Sequence, residues 1–127
     1  MAEIAVQRNR KNVRAKLVDV AHAGVERLPY ENGAFDKILC VHGVYFWTDL
    51  DGALQEIARV LKPRGRAVLV WRTSANRAAE AFPREVYSFW SKSTVEKAIT
   101  DAGMSAQLVR DVDESEHPLV LVADKGL

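Results

Sequence analysis

Asp36-Lys37-Ile38-Leu39-Cys40-Val41-His42-Gly43-Val44-Tyr45-Phe46-Trp47 is the stretch that organises the chain. Ile38 to Val41 is a short unbroken apolar run, with Lys37 as the last charge before it. That pattern suits a strand buried on both faces of a helix-covered sheet. The run stops abruptly at His42 and Gly43 and gives way to aromatic residues. In an open α/β sheet, ligands lie in the crevice beyond the carboxyl ends of the strands, so His42, Gly43 and Tyr45-Phe46-Trp47 are the first candidates for a site.

Working outward toward the C-terminus, Thr48 or Asp49 can cap a helix in which Leu50, Ala53, Leu54, Ile57 and Leu61 share one face. Pro63 and Gly65 stop it. Ala67 to Trp71 is a second continuous apolar run, so strand, amphipathic helix and strand follow in the order of a right-handed parallel βαβ unit. The fold class is therefore α/β. Beyond Arg72 the pattern weakens, and Thr73 to Pro83 reads as a mobile or variable segment with helix-favouring alanines. Ser93 and Glu96 have capping-box spacing for a helix that buries Val95, Ala98, Ile99 and Ala102, and Gly103 terminates it. Gln107–Val112 and Leu119–Ala123 read as a closing antiparallel hairpin.

Toward the N-terminus, Met1 to Asn9 has helical spacing but no cap before it, so it reads as a helix entered partway through. Leu17–Ala21 reads as a strand, His22 to Pro29 as an irregular loop, and Glu31-Asn32-Gly33 as the turn into the central strand.

The 127 residues fit one domain, and an apolar content of 48% with 28% charged residues is that of an ordinary globular protein. A net charge of +1 gives no general field for nucleic acid or membrane. Arg8, Arg10, Lys11, Arg14 and Lys16 crowd the start and Asp111, Asp113, Glu114 and Glu116 the end, and solvated ends explain both better than a nucleic-acid patch. The single cysteine, Cys40, excludes an internal disulfide and suits a small core residue better than a nucleophile. No signal sequence and no apolar run approaching ~18 residues are present, so a cytoplasmic location without membrane contact is expected. His22 and His117 show no metal-ligand spacing with His42, so no metal site is expected.

Three segments together resemble class I S-adenosylmethionine-dependent methyltransferases of the ubiquinone/menaquinone-biosynthesis type. They are Val25-Glu26-Arg27-Leu28-Pro29-Tyr30, Gly33-Ala34-Phe35-Asp36, and Ala53 through Gly65, which carries Glu56-Ile57-Ala58-Arg59-Val60-Leu61-Lys62-Pro63. Ala102-Gly103-Met104 resembles the family's last helix end before its terminal hairpin. The resemblance implies one methyltransferase-like domain over residues 1–127. Its fold would be a partial Rossmann-like three-layer sandwich, mostly parallel with a C-terminal antiparallel hairpin and the first strands missing. The glycine-rich turn and the ribose-binding acid of the family have no counterpart here, and Ala23-Gly24-Val25 stands where the family often has an acid facing the adenine.

The implied activity is methyl transfer from S-adenosylmethionine to a small-molecule acceptor, impaired in this chain. Ala23, Gly24, Val25, Glu26, His42, Gly43 and Trp47 are the implied cofactor-binding residues, and His42 and Tyr45 the implied catalytic ones. Weak or absent cofactor binding by the chain alone is expected. Methyl transfer needs nucleophile and methyl group held in line, and an aromatic face near a sulfonium gains ~0.5–2 kcal/mol. His42, Tyr45, Trp47 and Trp71 are expected to line one concavity with Ala23 and Gly24. The edge of the central strand would lack its usual neighbour. Either Leu17–Ala21 pairs with it, or a homodimer or heteromeric partner covers it. A non-catalytic scaffold or partner subunit is the main alternative, and a nucleic-acid-associated module using the basic N-terminal segment the second.

Overall fold

The computed structural model describes residues 2–83 and 87–127. Its elements in chain order are α1 (Ala2–Arg8), α2 (Arg10–Arg14), β1 (Phe35–Val41), α3 (Leu50–Val60), β2 (Leu61–Trp71), α4 (Lys92–Asp101), β3 (Met104–Leu108) and β4 (Leu119–Lys125), with short 3₁₀ turns at Val44–Phe46 and Arg77–Ala81. One four-stranded sheet runs in the order β1-β2-β4-β3. β1 and β2 are parallel, β2 and β4 antiparallel, and β3 and β4 antiparallel. The α/β class, the parallel pair and a closing antiparallel hairpin are those the sequence implies, but the hairpin's first strand is Met104–Leu108 in place of the expected Gln107–Val112, because the chain enters the sheet directly after Gly103 and leaves it before Val109.

The parallel pair forms because α3 is amphipathic at a helical period. Leu50, Ala53, Leu54, Ile57, Ala58 and Val60 are buried, and Asp49 caps the helix by accepting from the Gly52 N–H at 2.9 Å. The helix ends at Val60 and β2 starts directly at Leu61, earlier than Pro63 and Gly65 suggest. Lys125 reaches from β4 to donate to the carbonyls of Ala58 and Leu61, each at 2.7 Å, so a side chain satisfies the helix end. Lys62 to Gly65 then bulge out, since β1 pairs Phe35 with Leu61 and next Lys37 with Arg66. In α4 the cap is Ser91, two residues ahead of the Ser93 expected, and Gly103 closes the helix at φ 85°.

Two expectations fail. Leu17–Ala21 is no strand: it has no sheet partner, and Leu17 is exposed. It therefore does not cover the free edge of β1. β1 is also not buried on both faces, because α3 and α4 pack on one side only, where Ala67, Leu69, Trp71, Leu121 and Ala123 are fully enclosed. On the opposite side Leu39 and Val41 are 69% and 53% exposed, and neither α1 nor α2 has a buried residue.

The loop before β1 is tied to α3 by an ion pair. Glu56 accepts from the Leu28 N–H at 2.6 Å while Arg59 donates to the carbonyls of Leu28 and Tyr30 and to the Asn32 amide oxygen. Hydrogen bonds from Arg59 and from the Leu28 N–H hold the Glu56 carboxyl down at about 2. The Leu28-Pro29-Tyr30 loop and the Glu56–Arg59 helix end are therefore one physical unit, which explains why both belong to the same sequence pattern.

Candidate active site at the strand ends

At the end of β1 the His42 N–H still donates to the Val70 carbonyl at 2.8 Å, so the ladder holds while the chain turns. The turn puts His42 in the left-handed region at φ 55°, an uncommon conformation for a residue with a Cβ. Gly43 then passes so close to Cys40 that a Cβ on it would stand 2.7 Å from the thiol sulfur. Burial raises the Cys40 pKa, opposed by a hydrogen bond from the Gly43 N–H, so the thiol is a packed core group as the sequence suggests.

The 3₁₀ turn Val44–Phe46 folds Tyr45 back over the strand ends. Its hydroxyl accepts from the backbone N–H of Arg72, the residue following β2, and lies 2.9 Å from His42 Nδ1. The two rings stack at 5.9 Å between centroids. Burial, then the Arg72 charge, lowers the His42 pKa, keeping the imidazole neutral at neutral pH. Burial raises the Tyr45 pKa, opposed by the Arg72 N–H and the Arg72 charge, so the phenol stays protonated.

Beside this pair is a cavity of about 250 Å³. His42, Tyr45 and Arg72 form its polar side, and Phe46, Phe82, Tyr87 and Phe89 its aromatic walls. Tyr87 is packed against Phe46 at 5.0 Å and Phe82 at 4.9 Å, and Phe89 against Tyr45 at 5.2 Å. The wall is anchored from outside. Ser88 donates to the Tyr45 carbonyl at 2.8 Å, Trp90 to the Val44 carbonyl at 3.2 Å, and Trp71 to the Trp90 carbonyl at 2.9 Å. Within Thr73 to Pro83, expected to be mobile or variable, two residues are tied to the rest of the fold. Thr73 and Asn76 are buried and hydrogen-bond to Glu114 and to the His117 carbonyl in the connection before β4.

The structure divides the residues that the sequence grouped into one concavity. His42 and Tyr45 share the cavity, with Gly43 in the turn beneath them. Trp47 and Trp71 do not line it: they are 8% and 0% exposed and belong to the core. Ala23 lies in a separate open groove with His22, Arg27, Leu28 and Pro29. Gly24 is exposed, with no atom within 4 Å of where a Cβ would stand. Val25 packs at the core margin and Glu26 is exposed. Arg72, Phe82, Tyr87 and Phe89 went unrecognised in the sequence; a cation one residue past the second strand and the aromatic density before α4 were the available signals. Among the described residues no group of His, Cys, Asp and Glu could hold a metal, and no helix is long and apolar enough to cross a membrane.

A family model described as a methyltransferase domain matches residues 1–69, more than half of the chain. The ubiquinone/menaquinone biosynthesis C-methyltransferase UbiE of Bartonella tribocorum is 32% identical over 97 residues, covering 76% of this chain and 36% of that protein. The chain belongs to the class I S-adenosylmethionine-dependent methyltransferases. This methyltransferase chain spans about a third of the length of the curated relatives it matches. Its fold resembles the YcgJ protein of Bacillus subtilis, with a TM-score of 0.79 at 17% identity, covering 100% of this chain and 79% of that one. A Thermotoga maritima S-adenosylmethionine-dependent methyltransferase, described as a possible histamine N-methyltransferase, aligns with a TM-score of 0.70 at 21% identity. That alignment covers 93% of this methyltransferase chain and 69% of its counterpart.

Proposed function

We propose that this domain carries the acceptor side of an S-adenosylmethionine-dependent methyl transfer to a small molecule, with His42 taking the acceptor's proton. The observation that carries the reading is the His42–Tyr45 pair facing an aromatic cavity at the ends of the two parallel strands. When bound, S-adenosylmethionine supplies an electrophilic methyl group. The described residues fit only part of it: the Ala23–Val25 loop leaves space but does not enclose a ligand, and Trp47 is buried away from it. On the acceptor side, a base at Nε2 requires the tautomer with hydrogen on Nδ1, which the Tyr45 oxygen accepts alongside the Arg72 N–H. Tyr45 thus positions the imidazole, and the lowered pKa of His42 keeps it free to accept a proton.

The test is transfer of labelled methyl from S-adenosylmethionine, supplied at high concentration to offset weak binding, to a panel of small phenols, thiols and amines. His42→Ala is expected to lose about 10²–10⁴-fold in rate with acceptor binding retained. Full transfer by His42→Ala would remove the proton-accepting role. The pH profile adds a sign: a base with a lowered pKa keeps activity below about pH 6.5 and loses it only on further acidification. A second reading, a non-catalytic methyltransferase-like subunit, is supported by the open cofactor side. Calorimetric titration with S-adenosylmethionine separates the two, with weak or absent binding expected for the chain alone. Micromolar or tighter binding would overturn the incomplete-site reading. The partner side of the proposal is a second chain along β1, another copy or a different polypeptide.

A further inference from the structure

We propose that Arg72 makes the cavity selective for a small aromatic acid, binding the anionic group of a single-ring acceptor whose ring lies between the aromatic walls. This rests on the acceptor reading of the cavity and adds a substrate class to it. Three observations carry it together.

The first is charge. Arg59, Arg66 and Arg77 each pair with a carboxylate, on Glu56, Asp124 and Glu116. Arg72 is half-buried at the cavity and has no acidic partner among the described residues. No Asp or Glu stands among the described residues lining the cavity. Among the described residues a cationic ligand would meet a guanidinium with no carboxylate to offset it, whereas a carboxylate would receive up to two parallel N–H bonds in the geometry the guanidinium fork prefers.

The second is shape and surface. The volume of about 250 Å³ lies below the range of drug-sized sites, about 300–1,000 Å³, so one ring with small substituents is the natural occupant. Phe46 and Phe82 meet Tyr87, and Phe82 meets Phe89, at tilted angles while Tyr87 and Phe89 lie nearly parallel, so the walls offer both faces and edges to a guest ring. The third is the placement of the polar groups. The backbone N–H of Arg72 is fixed to the Tyr45 hydroxyl, which in turn contacts His42. The residue that would bind the anion therefore starts from a backbone position fixed beside the proton-accepting pair, close enough for its charge to act on His42, and an acceptor held by its acid group would present its remaining substituents toward the imidazole. Aromatic walls without the arginine would take neutral rings indifferently.

The experiment is an amide chemical-shift titration of the full chain with three probes, benzoate, its neutral isostere benzamide, and the non-aromatic cyclohexanecarboxylate. Benzoate is expected to shift the Tyr45, Phe46 and Arg72 amides saturably, with benzamide at least about tenfold weaker, the usual gain for a charged hydrogen bond. Cyclohexanecarboxylate is expected to bind more weakly than benzoate. In Arg72→Met the preference for benzoate over benzamide should vanish, and Arg72→Lys should restore part of it. The spectrum itself reports whether each variant is folded, and Arg72→Lys decides the matter should Arg72→Met not be. Equal binding of benzoate and benzamide, an unchanged preference in Arg72→Met, or no saturable shift by any probe would each overturn the proposal. Because no cofactor is present, a negative result here is separate from a negative titration with S-adenosylmethionine, which bears on the methyl-transfer reading.

Discussion

The two faces of the same sheet have similar composition and opposite surroundings. On one face Ala67, Leu69, Trp71, Leu121 and Ala123 are sealed beneath α3 and α4. On the other, Leu39 pairs with Val68 and Val41 with Val70, while Val68 and Val70 continue to Val122 and Val120 on β4. This second face carries two rows of three aliphatic side chains, with Leu39 and Val41 exposed and the four valines half-buried. An apolar run in sequence thus predicts a strand, while whether one or both faces are covered depends on elements elsewhere. These rows also adjoin the edge of β1 that has no strand partner among the described residues, and an open aliphatic face beside an unpaired edge is a surface suited to association.

The sharpest way to break the contrast is to truncate a leucine on each face. Leu69→Ala is expected to cost about 2–5 kcal/mol, read from the urea midpoint, because a fully enclosed side chain leaves a cavity. Leu39→Ala should cost well under that, and equal losses would show that the second face is covered in solution.

A smaller effect should come from the clamp that joins the covering helix to the loop before β1. Glu56→Ala removes the acceptor of the Leu28 N–H and should cost about 1–3 kcal/mol near neutral pH. The pH dependence has a definite sign. With its folded pKa depressed to about 2, Glu56 contributes stability above its unfolded value, near 4.3 in reference peptides, and loses it as the pH falls toward 2. The gap between parent and variant should therefore narrow on acidification, and a constant gap would assign the loss to packing.

Asp49→Ala tests the start of the same helix, with an expected loss of about 1 kcal/mol for a cap that accepts from the Gly52 N–H. The smallest change in folding should come from Leu39→Lys, within about 0.5 kcal/mol for an exposed site. Light scattering across a dilution series is its informative readout: the parent is expected to associate and Leu39→Lys to do so less. A parent that stays monomeric at every concentration, with β1 amides protected from exchange, would sink the association idea.

Much of this was readable from the chain. The strand, helix and strand from Phe35 to Trp71 follow local rules, since an apolar run, a capped amphipathic period and a second apolar run each specify their own element. Leu17–Ala21 shows the limit, because β-forming residues make a strand only where a neighbour can hydrogen-bond to them. The strand-end rule pointed to His42 and Tyr45, which line the cavity beyond the parallel strands. Trp47 was misplaced because the 3₁₀ turn Val44–Phe46 interrupts the alternation and directs the indole inward. Phe82, Tyr87 and Phe89 approach only after the chain has folded back through contacts such as Ser88 to Tyr45 and Trp90 to Val44, which no local spacing reveals.

The left-handed backbone at His42 also makes the residue a reporter in a selection experiment. A library at this position screened only for soluble, heat-resistant protein should enrich glycine, the residue that enters that conformation with least strain. A library screened for turnover should keep histidine. Divergence of the two winners would separate what this position does for the fold from what it does for chemistry, with neither a ligand nor a known acceptor required for the first arm.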